Sequence, residues 1–310
     1  MTDTLGVHDS VDAVFPPAAL RGLLAGDDAC EVRVVETGAA LDGCDALVTF
    51  AYDEAFLAAG LSWIHSIQSG VDRFPFDDLR DHGVALTNST GIHGESVGET
   101  VVGTMLMLAR RLHAHRSRQE RREWAWPAWD EPFTLRGESL CVVGLGTLGR
   151  GIATRADALG MDVSGVRRTP TPVAGVDRVY PATALDEAIA DARFVALAVP
   201  LTDETAALID AATLDAMRDD AYLVNVARGG VVDQSALVAA LEDGSLAGAA
   251  LDVFETEPLP EDSPLWEMED VVVTPHAAAA GRDYVERVAA LVRENRRRLG
   301  AGEALANRVV

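Results

Sequence analysis

Short apolar runs separated by amphipathic stretches organise the chain. Within the first hundred residues, positions 47–50, 63–67 and 84–88 read as strands, and the second is followed by the turn Gln68-Ser-Gly-Val-Asp72. Alternation of strands with helical stretches predicts a parallel α/β sheet. Residues 95–118 then predict one long helix. Its apolar side chains Val97, Val101, Met105, Leu108 and Leu112 recur at helical spacing, and Thr90 or Ser96 is available to start it. Trp124, Trp126, Pro127 and Trp129 end that periodicity and read as a connection.

A second run begins at Leu140-Cys-Val-Val-Gly144 and continues with strands at 162–166, 194–199, 222–226, 248–252 and 271–274. Helical segments separate most of them, which predicts a six-strand doubly wound sheet. Residues 282–299 form a last amphipathic helix, and no short repeat interrupts the series. At 310 residues the chain exceeds what one core usually organises, so two domains are expected.

Composition narrows the setting. Hydrophobic residues make up 48% of the chain, no apolar run approaches the ~18 residues of a membrane span, and the first residues lack a secretory pattern; a cytoplasmic protein is expected. Asp and Glu number 49 against 26 basic residues, a net charge of −23, and all 26 are arginine. So acidic a surface repels nucleic acid and anionic lipid, which excludes both as expected partners. Acidic excess without lysine resembles halophilic proteins, and arginine bias in an ordinary acidic enzyme is the alternative. Cys30, Cys44 and Cys141 are widely spaced, form no metal-ligand pattern and suggest no disulfide. Cys141, inside an apolar strand, reads as a buried inert thiol.

The strand ending at Val143 leads into Gly144-Leu-Gly-Thr-Leu-Gly149, a G-x-G-x-x-G segment followed by a helix over 150–159. Each glycine has a separate reason: Gly144 for the tight turn, Gly146 for close approach of backbone to a pyrophosphate, Gly149 for packing of helix on strand. Thr147 and Leu148 complete the candidate phosphate loop at the helix N-terminus, where free N–H groups favour an anion. The end of the second strand selects the dinucleotide. An NAD site places a carboxylate about 20 residues past the fingerprint for the ribose 2′-OH. Here the segment is Val166-Arg-Arg-Thr-Pro170. Arg167, Arg168 and Thr169 suit a 2′-phosphate, so NADP(H) is expected in preference to NAD(H), with NAD(H) also usable.

Three further segments carry chemistry. Asn225-Val-Ala-Arg-Gly-Gly-Val-Val-Asp233 places Arg228 beyond a strand; Leu251-Asp-Val-Phe-Glu-Thr-Glu-Pro258 supplies Glu257; Thr274-Pro-His276 places His276 beyond the last strand. Ligands of open α/β sheets bind outside the carboxyl ends of strands, so all three are expected at the cofactor site. Hydride addition to a ketone leaves charge on oxygen, which a protonated imidazole can neutralise. A carboxylate beside that imidazole orients it and favours the charged ring. An arginine can hold a substrate carboxylate bidentately.

Together with Arg136-Gly-Glu-Ser-Leu, Val199-Pro-Leu-Thr-Asp-Glu-Thr205 and Ser263-Pro-Leu-Trp266, these segments resemble the D-isomer-specific 2-hydroxyacid dehydrogenases over nearly the whole chain. That family includes glyoxylate/hydroxypyruvate reductases, D-lactate dehydrogenase and phosphoglycerate dehydrogenase. The resemblance implies two Rossmann-like or flavodoxin-like α/β domains: a discontinuous substrate domain of residues 1–90 plus 283–310, and an inserted dinucleotide-binding domain over 91–282. It implies reduction of a small 2-keto acid to the D-2-hydroxy acid, with Arg228, Glu257 and His276 as the catalytic set and no metal. It implies that Asp252 contacts the nicotinamide carboxamide, that Val199 and Pro200 line the adenine side, and that Thr205, Val226 and Ala227 join the cofactor contacts. Backbone amides of Ser69, Gly70 and Val71 would receive the substrate carboxylate. The active site would lie in the interdomain cleft, and the protein would be a homodimer. Trp124, Trp126 and Trp129 would serve that interface or pack in a core. Two departures stand out: Arg167 replaces the acidic ribose-binding residue, and four alanines follow His276 where many members carry Ser or Thr.

A nucleotide-sensing, corepressor-like protein of the same shape is the alternative, and the intact Arg–Glu–His set and the acidic charge argue against it. Formate-oxidising relatives carry Gln in place of Glu257. His93 is expected to cap the long helix; His113 and His115 face different ways; His8, His65 and His82 show no partner pattern. Contacts near Phe50, Ala51, Tyr52 and Trp266 would set the substrate side chain, which the sequence leaves open.

Overall fold

The computed structural model describes residues 3–25 and 30–310. The chain divides into two compact units, Met1–His93 with Ala280–Val310, and Gly94–Ala279. The first unit holds a parallel five-stranded sheet of β1 (Asp3–His8), β2 (Cys30–Val35), β3 (Ala46–Thr49), β4 (Trp63–Ser66) and β5 (Ala85–Asn88), in the order β2-β1-β3-β4-β5. Helices α1 (Pro17–Leu24), α2 (Ala55–Ala58) and α3 (Phe76–Asp81) connect them. The sequence shows β3, β4 and β5 but not β1 or β2. Gly6 interrupts the apolar run of β1, and β2 is an edge strand whose charged Glu31 and Arg33 dilute its pattern.

The second unit is a parallel seven-stranded sheet. It comprises β6 (Ser139–Val143), β7 (Asp162–Arg167), β8 (Arg178–Pro181), β9 (Phe194–Leu197), β10 (Tyr222–Asn225), β11 (Gly248–Leu251) and β12 (Val271–Val273), in the order β12-β11-β10-β9-β6-β7-β8. The extra strand relative to the expected six is β8, an edge strand of four residues that opens with Arg178 and closes with Pro181, composition that hides it from an apolar-run reading. In the central strand β6, Cys141 and Val143 join one core while Leu140 and Val142 join another. Burial on both faces explains the unbroken apolar runs. Burial also pushes the Cys141 thiol up to about 11, as for an inert core side chain.

The predicted long helix is two helices, α4 (Gly94–Ala109) and α5 (Leu112–Glu120). Arg111 adopts a left-handed conformation with φ 55° and breaks the backbone ladder. Its guanidinium pairs with Asp270, just before β12, and this tertiary contact outweighs the helical periodicity. Next come α6 (Thr147–Ala158), α7 (Leu185–Ile189), α8 (Ala211–Asp215) and α9 (Gln234–Asp243), after which the chain returns to the first unit as α10 (Tyr284–Ala301). Helix α6 begins three residues earlier than the sequence suggested, inside the glycine segment itself. It crosses α4 with backbones touching: a Cβ on Gly151 would lie 1.8 Å from the Gly94 carbonyl oxygen. Trp124, Trp126 and Trp129 do not pack in a core; they are 99%, 89% and 93% exposed. Among the described residues, no helix is long and apolar enough to cross a membrane.

Candidate active site

The three glycines after β6 occupy three different environments. Gly144 has φ 101°, and a Cβ there would meet the Ala198 carbonyl oxygen at 2.7 Å. Gly149 lies against the turn it follows, its Cβ position 1.9 Å from the Gly144 carbonyl oxygen. Gly146, at the N-cap of α6, has nothing within 4 Å of its Cβ position. The first and third positions therefore exclude side chains because protein fills the space, whereas the second is open. An exposed glycine preceding the N-terminal amides of a twelve-residue helix is what close approach of a pyrophosphate requires, so these residues fit a dinucleotide. Thr147 and Leu148 form the first turn of α6, half-buried.

The loops on either side of the fingerprint hold the other cofactor candidates. Arg167 is the last residue of β7, and its guanidinium donates to the Thr171 hydroxyl at 2.8 Å; Arg168 and Thr169 follow it, exposed. Beyond β9, Val199 abuts Gly144 and Pro200 is exposed. Thr205 ties that loop together by donating to the Pro200 carbonyl at 2.6 Å and accepting from the Thr202 amide at 2.8 Å. Val226 and Ala227 are buried past β10.

Arg228, Glu257 and His276 follow β10, β11 and β12, three neighbouring strands at one side of the sheet. Buried Asn225 shapes the turn that carries Arg228, accepting from the Ala227 amide at 3.0 Å and donating to the Arg228 carbonyl at 3.1 Å. Gly229 lets this turn lie on the next loop, since a Cβ would sit 1.9 Å from the Phe254 carbonyl carbon. Glu257 accepts from the Phe254 amide at 3.2 Å through one oxygen, and its other oxygen lies 2.9 Å from His276 Nδ1. With Nδ1–H directed at the carboxylate, Nε2 is the ring atom left to exchange a proton. The pair is partly solvated, with side chains 25% and 34% exposed.

Asp252, expected at the nicotinamide, is 4% exposed and bonded within the chain. Its carboxylate accepts from Thr274 Oγ1, Ala277 N and Ala278 N at 2.6, 2.8 and 2.9 Å. Oδ1 takes two of these donors and Oδ2 one, leaving an acceptor position on Oδ2. Asn225, Gly229, Thr274 and Thr100 were not singled out from the sequence. The first three lie within the quoted segments, whereas Thr100 lies on α4 with no local signal.

In the first unit, Ser69, Gly70 and Val71 form the turn after β4. It is pinned by Asn88 donating to the Ser69 carbonyl at 2.6 Å, and their three backbone amides have no acceptor among the described residues. His93 immediately precedes the first residue of α4. It bonds to the Ile67 backbone and packs edge-on to Tyr284 at 4.7 Å, and burial pushes it down to about 4. His65 is fully buried between the Thr87 and Ser89 hydroxyls at 2.8 and 3.1 Å, and burial pushes it down to about 3. His113 bonds to the Met107 carbonyl at 3.0 Å. A depression of about 480 Å3 lined by His113, Ser117, Arg121 and Trp266 contains none of the candidate catalytic residues.

The profile of the D-isomer specific 2-hydroxyacid dehydrogenase NAD binding domain matches residues 102–278, within the second unit. A glyoxylate reductase of Korarchaeum cryptofilum is 36% identical over 264 residues, covering 81% of this chain and 78% of its own length. A glyoxylate/hydroxypyruvate reductase B of Yersinia pestis is 34% identical over 242 residues, 77% of this chain and 74% of its own. The solved structure of a D-isomer specific 2-hydroxyacid dehydrogenase from Xanthobacter autotrophicus, in complex with NADPH and MES, superposes with a TM-score of 0.85 at 33% identity, covering 100% of this chain and 98% of that one. The glycine segment, the strand-end residues and these similarities lead to one assignment: the chain belongs to the D-isomer-specific 2-hydroxyacid dehydrogenases, NAD(P)-dependent oxidoreductases, and its second unit holds their nucleotide-binding domain.

Proposed function

We propose that this protein reduces a small 2-keto acid to the D-2-hydroxy acid, using NADPH in preference to NADH. The observation that carries the reading is the 2.9 Å pairing of His276 Nδ1 with Glu257 beside the strand end that bears Arg228. Bound nicotinamide supplies the hydride. His276 gives the Nε2 proton to the oxygen that gains charge, and Glu257 holds the ring in place. Arg228 grips the substrate carboxylate with its planar fork. On the first unit, the amides of Ser69, Gly70 and Val71 are the neutral donors available to a substrate anion. Asp252 keeps one acceptor position for the carboxamide, and Val199, Pro200, Thr205, Val226 and Ala227 flank the bound dinucleotide. The names of the relatives make glyoxylate and hydroxypyruvate the first substrates to try.

The cofactor preference rests on the end of β7. Arg167-Arg-Thr-Pro-Thr171 contains two guanidinium groups, two hydroxyls and no carboxylate, a set suited to a 2′-phosphate. The homodimer rests on the exposed tryptophans. At 150–250 Å2 each, three such side chains from each of two copies offer roughly 900–1,500 Å2, overlapping what a specific interface buries. Sedimentation of the wild type and of a Trp124→Ala/Trp126→Ala/Trp129→Ala variant tests that part, with dimer and monomer expected respectively. The reaction is tested by NADPH and NADH oxidation with a 2-keto acid panel in dilute and molar salt. Turnover of glyoxylate or hydroxypyruvate with higher kcat/KM for NADPH is expected. Tight NADPH binding without turnover of any panel member would replace this reading with a sensor.

A further inference from the structure

His276 occupies a left-handed backbone conformation, φ 52°, that costs a non-glycine residue energy and persists only where its surroundings impose it. Backbone and side-chain contacts of the 274–278 segment, rather than contacts of the imidazole, surround it here. The His276 amide donates to the Asp252 carbonyl at 2.8 Å, and the Ala277 and Ala278 amides donate to the two oxygens of the Asp252 carboxylate. Thr274 Oγ1 donates to that carboxylate at 2.6 Å from the other side of His276. Thr100, on α4, donates to the Ala278 carbonyl at 3.0 Å and ties the far end of the turn to a helix. Residues 274 to 278 are therefore clamped on both sides of the histidine, and Glu257 meets the ring that projects from the clamp.

We infer that Thr274 and Thr100 are positioning residues for the reaction: through the buried Asp252 and the Ala278 carbonyl they hold the 274–278 turn so that the His276 ring is aligned with Glu257 and its Nε2 faces the substrate oxygen. The inference rests on the reading of His276 as proton donor and goes beyond it by naming what keeps that donor in place. Neither hydroxyl touches the imidazole. Their loss leaves the chemical groups of the site intact and loosens only their alignment, and a displacement of about 1 Å can cost up to about a hundredfold in rate.

The test uses the full chain with Thr274→Val, Thr274→Ser and Thr100→Val, each alone and combined with His276→Ala. Thr274→Val and Thr100→Val are expected to lower kcat about tenfold or more, to change the NADPH Kd measured by calorimetry less than about threefold, and to leave the folded state intact by circular dichroism. Thr274→Ser, which keeps the hydroxyl, should restore kcat to within about twofold of wild type. In the His276→Ala background the threonine effects should vanish, because a residue acting through the imidazole has nothing left to act through. Equal losses in both backgrounds, or a wild-type kcat in both valine variants, would overturn the inference while leaving His276 as the donor. Wild-type turnover by His276→Ala itself would overturn both. Thr100 is half-buried at the helix end of the clamp, so its variant decides the matter should Thr274→Val fail to fold.

Discussion

Two alanine substitutions one helical turn apart should have opposite consequences. At Gly146 the backbone is φ −77°, ψ −154°, and nothing lies within 4 Å of an added Cβ. A Gly→Ala change at a compatible, uncrowded position stabilises by about 0.4–1 kcal/mol, chiefly by restricting the unfolded chain. Spread over a unit of this size, that raises Tm by roughly 1–4 °C. At Gly149 the same methyl would lie 1.9 Å from the Gly144 carbonyl oxygen and 3.1 Å from a Val142 methyl. Neither backbone can yield without disturbing the β6–α6 turn, so a loss of about 1–3 kcal/mol or more is expected. The order reverses for the cofactor, because the methyl on Gly146 would occupy space the pyrophosphate needs. Thermal melts without ligand, paired with NADPH calorimetry, separate the two effects. Gly146→Ala should melt at or above wild type and bind NADPH at least tenfold more weakly; Gly149→Ala should melt several degrees lower. A Gly146→Ala protein that binds NADPH with wild-type affinity would refute the assignment of this loop.

Glu257→Gln removes the charge but not the shape of the His276 partner. A hydrogen bond to a charged group contributes about 1.5–3 kcal/mol, and partial exposure of the pair puts this one toward the lower figure. The expected fall in kcat/KM is about ten- to thirtyfold, and an unchanged value would contradict the role given to the carboxylate. Arg167→Ala/Arg168→Ala should lower kcat/KM with NADPH at least tenfold while changing that with NADH less than about threefold; parallel losses would contradict recognition of the 2′-phosphate. Acid should weaken the first unit through its buried histidines. Folded His65 and His93 protonate only near about 3 and about 4, whereas unfolded histidine takes up a proton near 6.5. Between those values the unfolded state holds the extra proton, so stability present above pH 6.5 is lost as pH falls, at about 1.4 kcal/mol per pH unit for each histidine. Denaturant unfolding from pH 7 to 4.5 should show this slope, reduced in His65→Gln, and an identical slope in both proteins would contradict it.

What the sequence disclosed depended on whether the physics was local. The strands of the second unit were legible because burial on both faces writes continuous apolar runs such as Leu140–Val143. The glycine segment was legible because each of its positions answers a backbone requirement. β1, β2 and β8 were not, since interruption by Gly6 and by edge-strand charge removes the pattern without removing the ladder. The break at Arg111 depends on Asp270, distant in sequence, and no local periodicity carries that information. The same distinction runs through the site. Residue types and strand ends pointed to Arg228, Glu257 and His276, but the bonds from Thr274 and Thr100 that fix the histidine turn exist only once β11, β12 and α4 are assembled. The exposure of Trp124, Trp126 and Trp129 likewise follows from where the connection runs, not from its composition.

The most direct measurement of the central claim is single-turnover NADPH oxidation with glyoxylate and hydroxypyruvate by wild type and by His276→Ala, with NADPH affinity measured on the same samples. The account predicts wild-type turnover on at least one of the two acids. It also predicts a loss of about a hundredfold or more in the variant, with NADPH bound within about threefold of the wild-type Kd. A variant that turns over as fast as wild type, or a wild type that binds NADPH and reduces neither acid, would contradict it.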